Sequence, residues 1–147
     1  CNDQVCDPNT VTTTLLEKRE IQMSFDTSRQ EIVYSILEGD KLVFQYEYHK
    51  GHCDGYTHDS YTLSLAFELP SGETDFVLSD SALVEADCFV HHSNGWIDND
   101  YPVSSGTMKG EKLAEDRWFI RGAIKYMVPL SSFNQDRELS FDEVFIR

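Results

Sequence analysis

Apolar and polar residues alternate along most of this chain with the period of two that marks a half-buried β-strand. Leu42, Phe44, Tyr46 and Tyr48 share one face, and Val43, Gln45, Glu47 and His49 the other. Leu63, Leu65, Phe67 and Leu69 alternate with Thr62, Ser64, Ala66 and Glu68, and that run ends at Pro70-Ser71-Gly72, a turn signal. Trp118, Ile120, Ile124, Tyr126 and Val128 align across Gly122, with Phe119, Arg121 and Lys125 opposed to them. These runs are the predicted central strands. Weaker alternation predicts further strands over residues 21–25, 31–37, 75–78, 88–91, 103–109 and 139–146. In the last of them the apolar phase changes between Phe141 and Val144, which predicts a bulge near Asp142 and Glu143.

Helical signal is thin. Residues 14–23 contain the helix formers Leu15, Leu16, Glu17, Lys18 and Arg19, but the threonines before them and the alternating Ile21, Met23 and Phe25 favour a strand. A single helical turn is predicted over residues 79–84, capped by Ser79 or Asp80. Gly39-Asp40 reads as a hairpin turn between two strands. About eight or nine half-buried strands joined by polar turns predict an all-β fold, an antiparallel β-sandwich of immunoglobulin-like or jelly-roll-like type. Residues 1–10 read as a polar tether and residues 11–147 as the single domain.

Composition agrees with one folded core: 147 residues, 40% hydrophobic and 12% aromatic, with only 8 Gly and 4 Pro. No run approaches the roughly 18 apolar residues of a membrane-spanning helix. Asp and Glu number 26 against 12 Lys and Arg, a formal charge of −14 that argues against nucleic acid and anionic lipid as partners. The excess is accounted for by a solvated acidic surface, or in part by carboxylates that hold a cation.

Four cysteines, Cys1, Cys6, Cys53 and Cys88, form an even set without a C-x-x-C pair. Their spacings fit neither a zinc ribbon nor a dithiol redox site, so disulfides and an extracytoplasmic location are expected. The sequence leaves every pairing open. Cys1 with Cys6 and Cys53 with Cys88 is the preferred one, because Cys53 and Cys88 lie at the outer ends of strand-like segments.

The opening Cys1-Asn2-Asp3-Gln4 resembles a mature lipoprotein of Gram-negative bacteria, with any targeting segment already removed. The segment from Gly106 to Leu113, followed by Trp118 and an alternating strand, is similar to the closing hairpin of small uncharacterised β-sandwich lipoproteins. The resemblance implies a cell-envelope protein with lipid on Cys1, its only link to the membrane. Lipid there and a Cys1–Cys6 bridge exclude one another.

Two stretches hold the candidate chemistry. His49, His52 and His58 flank Cys53, and His91 and His92 follow Cys88, which accounts for all 5 histidines. A strand pairing that joined Cys53 to Cys88 would gather imidazoles able to bind copper or zinc. Asp98-Asn99-Asp100 is a D-x-D turn that calcium could use, although the full EF-hand loop is absent. Trp96 and Tyr101, beside Asp98 and Asp100, and Tyr56 and Tyr61 form the aromatic and acidic pattern of sugar or protein recognition, unless Trp96 folds under its loop. No nucleophile elbow, zinc-protease helix, P-loop or dinucleotide fingerprint is present. The leading expectation is therefore a non-catalytic binding or interaction module with no cofactor, meeting a protein or carbohydrate at the cell surface. The alternatives are a copper- or zinc-binding protein and a secreted hydrolase with a His91 or His92 base facing Asp98 or Asp100.

Overall fold

Strands form where the alternation is cleanest, and they run longer than the pattern suggests. The computed structural model describes residues 5–53, 60–94, 98–129 and 133–147. In chain order the elements are β1 (Thr10–Asp26), β2 (Glu31–Lys50), β3 (Tyr61–Pro70), β4 (Asp75–Ser79), α1 (Ser81–Glu85), β5 (Phe89–Ser93), β6 (Asp98–Ala114), β7 (Arg117–Pro129) and β8 (Asn134–Ile146). All pairings are antiparallel in an 8-stranded sheet of order β1-β2-β3-β5-β6-β7-β8, with β4 paired to β6. The all-β class is as expected. Most neighbours in the sheet are also neighbours in sequence; the exceptions are β3 beside β5 and β4 beside β6, because β4 leaves the path to pair with the second half of β6.

The sheet turns a corner within β6. Its first residues pair with β5 up to Phe89↔Pro102, and from Val103 onward it pairs with β7, with an irregularity between Val103 and Ser105. That corner brings the inner faces of β2 and β3 over those of β7 and β8. Phe44 sits at the meeting point, with ring centroids 5.0 Å from Phe67, 5.3 Å from Trp118 and 6.0 Å from Phe145. Leu65, Val90, Ile120 and Ile124 complete this fully buried layer. The far edges meet without a ladder: Thr13 Oγ1 donates to the Val144 carbonyl at 2.7 Å, and Arg147 pairs with Glu17 at 2.9 Å.

Three local expectations are corrected. Gly39 and Asp40 do not turn a hairpin; β2 continues past them, and the turn lies at residues 27–30, where Asp26 Oδ1 accepts the Ser28 and Arg29 amides. They loop out instead as a bulge, because Arg19 pairs with both Glu38 and Lys41. No bulge occurs in β8: its register with β7 is unbroken, Phe141 and Phe145 both point into the core, and Val144 is an outward residue left partly exposed. Helix α1 forms close to where it is expected, but neither Ser79 nor Asp80 caps it by its side chain. Asp80 Oδ1 instead accepts the Gly106 amide at 3.1 Å, fastening the helix to β6.

Candidate binding cleft

The β1–β2 hairpin bends at its bulge. Lys18 takes a left-handed φ of 54°, and a side chain at Gly39 would press within 2.6 Å of Glu20 Cγ, so the kink needs a glycine there. Beyond the kink, residues 19–38 form an arm that lies back over the outer face of β3, β5 and the start of β6. Ile21, Tyr34 and Ile36 from the arm pack with Val43, Ala66 and Phe89 as a second, smaller core. Tyr34 and Phe89 stack with centroids 4.2 Å apart and planes 6° from parallel. The face of β3 that alternation assigns to solvent is thereby covered.

A ribbon laid on a sheet has unpaired backbone donors along both edges. Carboxylates from the sheet satisfy one on each side. Glu68 Oε2 accepts the Ile21 amide at 2.7 Å on the β1 edge, and Asp100 Oδ2 accepts the Tyr34 amide at 2.9 Å on the β2 edge. At the tip, Arg29 donates to the Asp98 carbonyl at 3.4 Å and pairs with Glu31 at 2.7 Å.

Between arm and sheet remains a cleft of about 450 Å³. Arg29, Glu31, Tyr34 and Ile36 line it from the arm, and Ser64, Ala66, Phe89, His91, Asp98 and Asp100 from the sheet. Strand register puts Ser64, His91 and Asp100 in one row, since Ser64 pairs with His91 and His91 with Asp100. His91 is held on both sides, Nε2 at 2.7 Å from Asp98 Oδ1 and Nδ1 at 2.5 Å from Asp100 Oδ1. Burial, and then the charges of Asp87 and Asp100, push the Tyr34 hydroxyl up to about 12, so it stays a neutral donor or acceptor at the cleft.

The residues predicted as sites divide. His91, Asp98 and Asp100 come together at the cleft. Neighbouring strand residues face opposite ways, so His92 points inward, where its Nδ1 lies 3.4 Å from Arg137 and its ring 5.9 Å from Tyr61. Burial, then the Arg137 and His91 charges, hold its pKa below the usual range. His49 bonds Thr62 Oγ1 at 2.9 Å near the end of β2, and His52 lies beside the N-terminal segment. Among the described residues no three His, Cys, Asp or Glu side chains are grouped to hold a metal ion. Tyr101 is not a cleft residue; it is buried inward against Tyr126, centroids 6.0 Å apart. Cys1, Tyr56, His58 and Trp96 lie outside the described residues.

The cysteine pairing is corrected. Cys6 bonds Cys53, an intramolecular disulfide of the kind oxidising compartments maintain. Cys53 cannot reach Cys88, because Cys88 is 2% exposed within the main core while Cys53 lies beyond the end of β2 against the N-terminal segment. Cys6 is likewise not joined to Cys1. The expected tether is fastened from Cys6 on, with the Asp7 amide on the His52 carbonyl at 2.8 Å and the Gly51 amide on Asn9 Oδ1 at 3.0 Å. Burial pushes the Cys88 thiol far above the usual cysteine range. Iodoacetamide is accordingly expected to leave Cys88 unlabelled in the native protein and to label it fully in denaturant; rapid native labelling, read by mass, would contradict its burial.

Compared with protein-family models, with curated proteins and with solved structures, the chain matches none.

The arm, the bulge and the two edge carboxylates are what sequence reasoning missed. One signal was present: Val43, Ala66 and Phe89 are apolar on a face otherwise occupied by Gln45, Ser64 and His91, a sign that something covers it.

Proposed function

We propose that this chain is a non-catalytic, extracytoplasmic binding module and that the cleft beneath its folded-back arm takes a small, hydroxyl-rich ligand of the carbohydrate class. The cleft carries the proposal. Its volume of about 450 Å³ falls within the range of small-molecule sites, and it combines an aromatic pair with a few convergent polar groups as such sites do. Glu31, Asp98 and Asp100 supply carboxylate acceptors for hydroxyl donors, while Arg29 and Ser64 supply donors in return. Binding is favoured over catalysis because both His91 nitrogens are engaged by carboxylates, Asp98 at 2.7 Å and Asp100 at 2.5 Å, rather than by Ser64. The Cys6–Cys53 bond supports the extracytoplasmic part of the reading.

The test is an NMR titration of the full chain with a panel of neutral mono- and disaccharides. Shifts confined to Tyr34, Phe89, His91 and Asp100 are expected with at least one sugar. Asp98→Ala, a change at a side chain that is 71% exposed and so safe for the fold, is expected to weaken that binding about tenfold, as loss of a charged hydrogen-bond partner should. A panel that leaves every cleft resonance in place would overturn the carbohydrate assignment.

A further inference from the structure

The roof and the floor of the cleft differ in chemistry. In the arm, cross-strand pairing sets Ile21 opposite Ile36, Met23 opposite Tyr34 and Phe25 opposite Ile32, and residues paired across an antiparallel ribbon project to the same side. That side is turned to the sheet, since Ile21, Tyr34 and Ile36 pack with Val43, Ala66 and Phe89. The other side of β1 carries Glu20, Gln22 and Ser24 here. The underside of the arm is thus apolar along its length.

The sheet beneath matches it only in part. Gln45, Ala66, Phe89 and Pro102 form one cross-strand row; the next row, toward the Asp98 carbonyl where Arg29 of the tip is anchored, is Glu47, Ser64, His91 and Asp100. Over Ala66 and Phe89 the two surfaces close. Over the second row an apolar roof meets a polar floor, and there the cleft opens, with Ile32 on one side and Ser64, His91 and Asp100 on the other. Met23 and Phe25 are left 56% and 60% exposed, although they share the face that buries Ile21.

We propose that the ligand of the cleft is amphipathic: a glycoside whose sugar lies against Ser64, His91 and Asp100, and whose apolar aglycone, an alkyl or aryl group, covers Ile32, Met23 and Phe25. The proposal rests on the reading of the cleft as a carbohydrate site and narrows its substrate class.

A free sugar satisfies only the floor, because hydroxyls pressed against Ile32 lose water and gain no partner. A purely apolar ligand satisfies only the roof, since it takes water from Ser64, Asp98 and Asp100 without returning a hydrogen bond. A molecule polar at one end and apolar at the other meets both. The apolar surface is continuous with the cleft, because Met23 and Phe25 are the cross-strand neighbours of Tyr34 and Ile32, two of its lining residues. Charge selects the head group. Glu31, Asp98 and Asp100 outnumber Arg29 at the cleft, and even a protonated His91 leaves an excess of carboxylate, so a phosphate or carboxylate head is repelled where a neutral sugar is not. The arm need not move. Its packing on Val43, Ala66 and Phe89, with the Glu68 and Asp100 bonds to its edges, holds a preformed slot, as is usual for small-molecule sites.

The test compares methyl and hexyl glycosides of glucose, galactose and mannose, titrated into the full chain and followed by NMR, with hexanol as a control. Each methylene taken from water is worth about fourfold in affinity, so for a sugar that binds, a half-covered hexyl chain is expected to tighten binding about thirtyfold over methyl. Met23→Ser combined with Phe25→Ser, both at exposed positions, should remove most of that gain and leave methyl glycoside binding unchanged. Val77→Ser, at a residue 70% exposed on β4, should alter neither. Hexyl glycosides that bind no tighter than methyl ones, or whose gain survives the double change, would overturn the apolar half and leave the carbohydrate reading standing. Hexanol that binds as tightly as the hexyl glycosides, with no methyl glycoside binding, would overturn the sugar half and that reading with it. A self-associating chain, seen by sedimentation and abolished by the double change, would show that a second copy covers Met23 and Phe25 and would overturn the proposal as well.

Discussion

Phe44→Ala is expected to lower the free energy of unfolding by about 3–5 kcal/mol, the range found when a fully buried phenylalanine is cut to alanine. Phe44 is fully buried, and its ring touches residues of both layers: Phe67 on β3, Phe76 on β4, Trp118 on β7 and Phe145 on β8. A cavity there cannot be filled by one neighbour moving, because the neighbours are themselves large rings packed from opposite sides. Urea unfolding should show a lower midpoint with an unchanged slope, and the melting temperature should fall by about 10 °C. Met127→Ala, on the exposed face of β7, should stay within about 0.5 kcal/mol of the parent. A cost for Phe44→Ala as small as that would mean the two layers do not close on this ring.

The placement of that ring was legible in the sequence, because alternation is a local property. Leu42, Phe44 and Tyr46 on one strand, and Trp118, Ile120 and Ile124 on another, each need only the pleat of their own strand to share a face, and the structure buries them together. Strand length was less legible. The pattern of β1 breaks near Lys18 because the bulge shifts the phase, so Leu15 and Ile21, both odd-numbered, serve different cores. Read without the bulge, such a break looks like the end of a strand. Gly39-Asp40 misled for the same reason: the dipeptide that allows a tight hairpin also allows a chain to kink and continue.

The site was legible only in part. His91, Asp98 and Asp100 are near in sequence and lie on adjacent antiparallel strands, so a short connection forces them into contact. Nothing local announces that residues 19–38 fold back over them. That depends on Glu68 and Asp100 finding edge amides at Ile21 and Tyr34, partners 47 and 66 positions away. The same limit explains the cysteines. Cys88 follows α1 at the start of β5 and takes the inward side, where it serves as a small apolar residue, and no count of thiols reveals which of them the core will enclose.

Removing the disulfide by Cys6→Ala with Cys53→Ala is expected to lower stability by about 4 kcal/mol, since in the loop-entropy model a bridge across 47 positions of sequence restrains a large part of the unfolded chain. The loop it closes contains all of β1 and β2, including the kink and the arm. In the folded protein the bond also holds residues 6–9 beside the end of β2, where the Asp7 and Gly51 amides find their partners. The loss should therefore exceed that of either hydrogen bond alone, each worth about 1 kcal/mol. Thermal melts of the double variant, and of the parent with and without reductant, measure it. Peptide mapping without reduction should recover Cys6 linked to Cys53, with Cys88 alkylated only after denaturation. A Cys53–Cys88 linkage would overturn the arrangement, because it requires a core thiol and the end of β2 to meet through a layer of packed side chains.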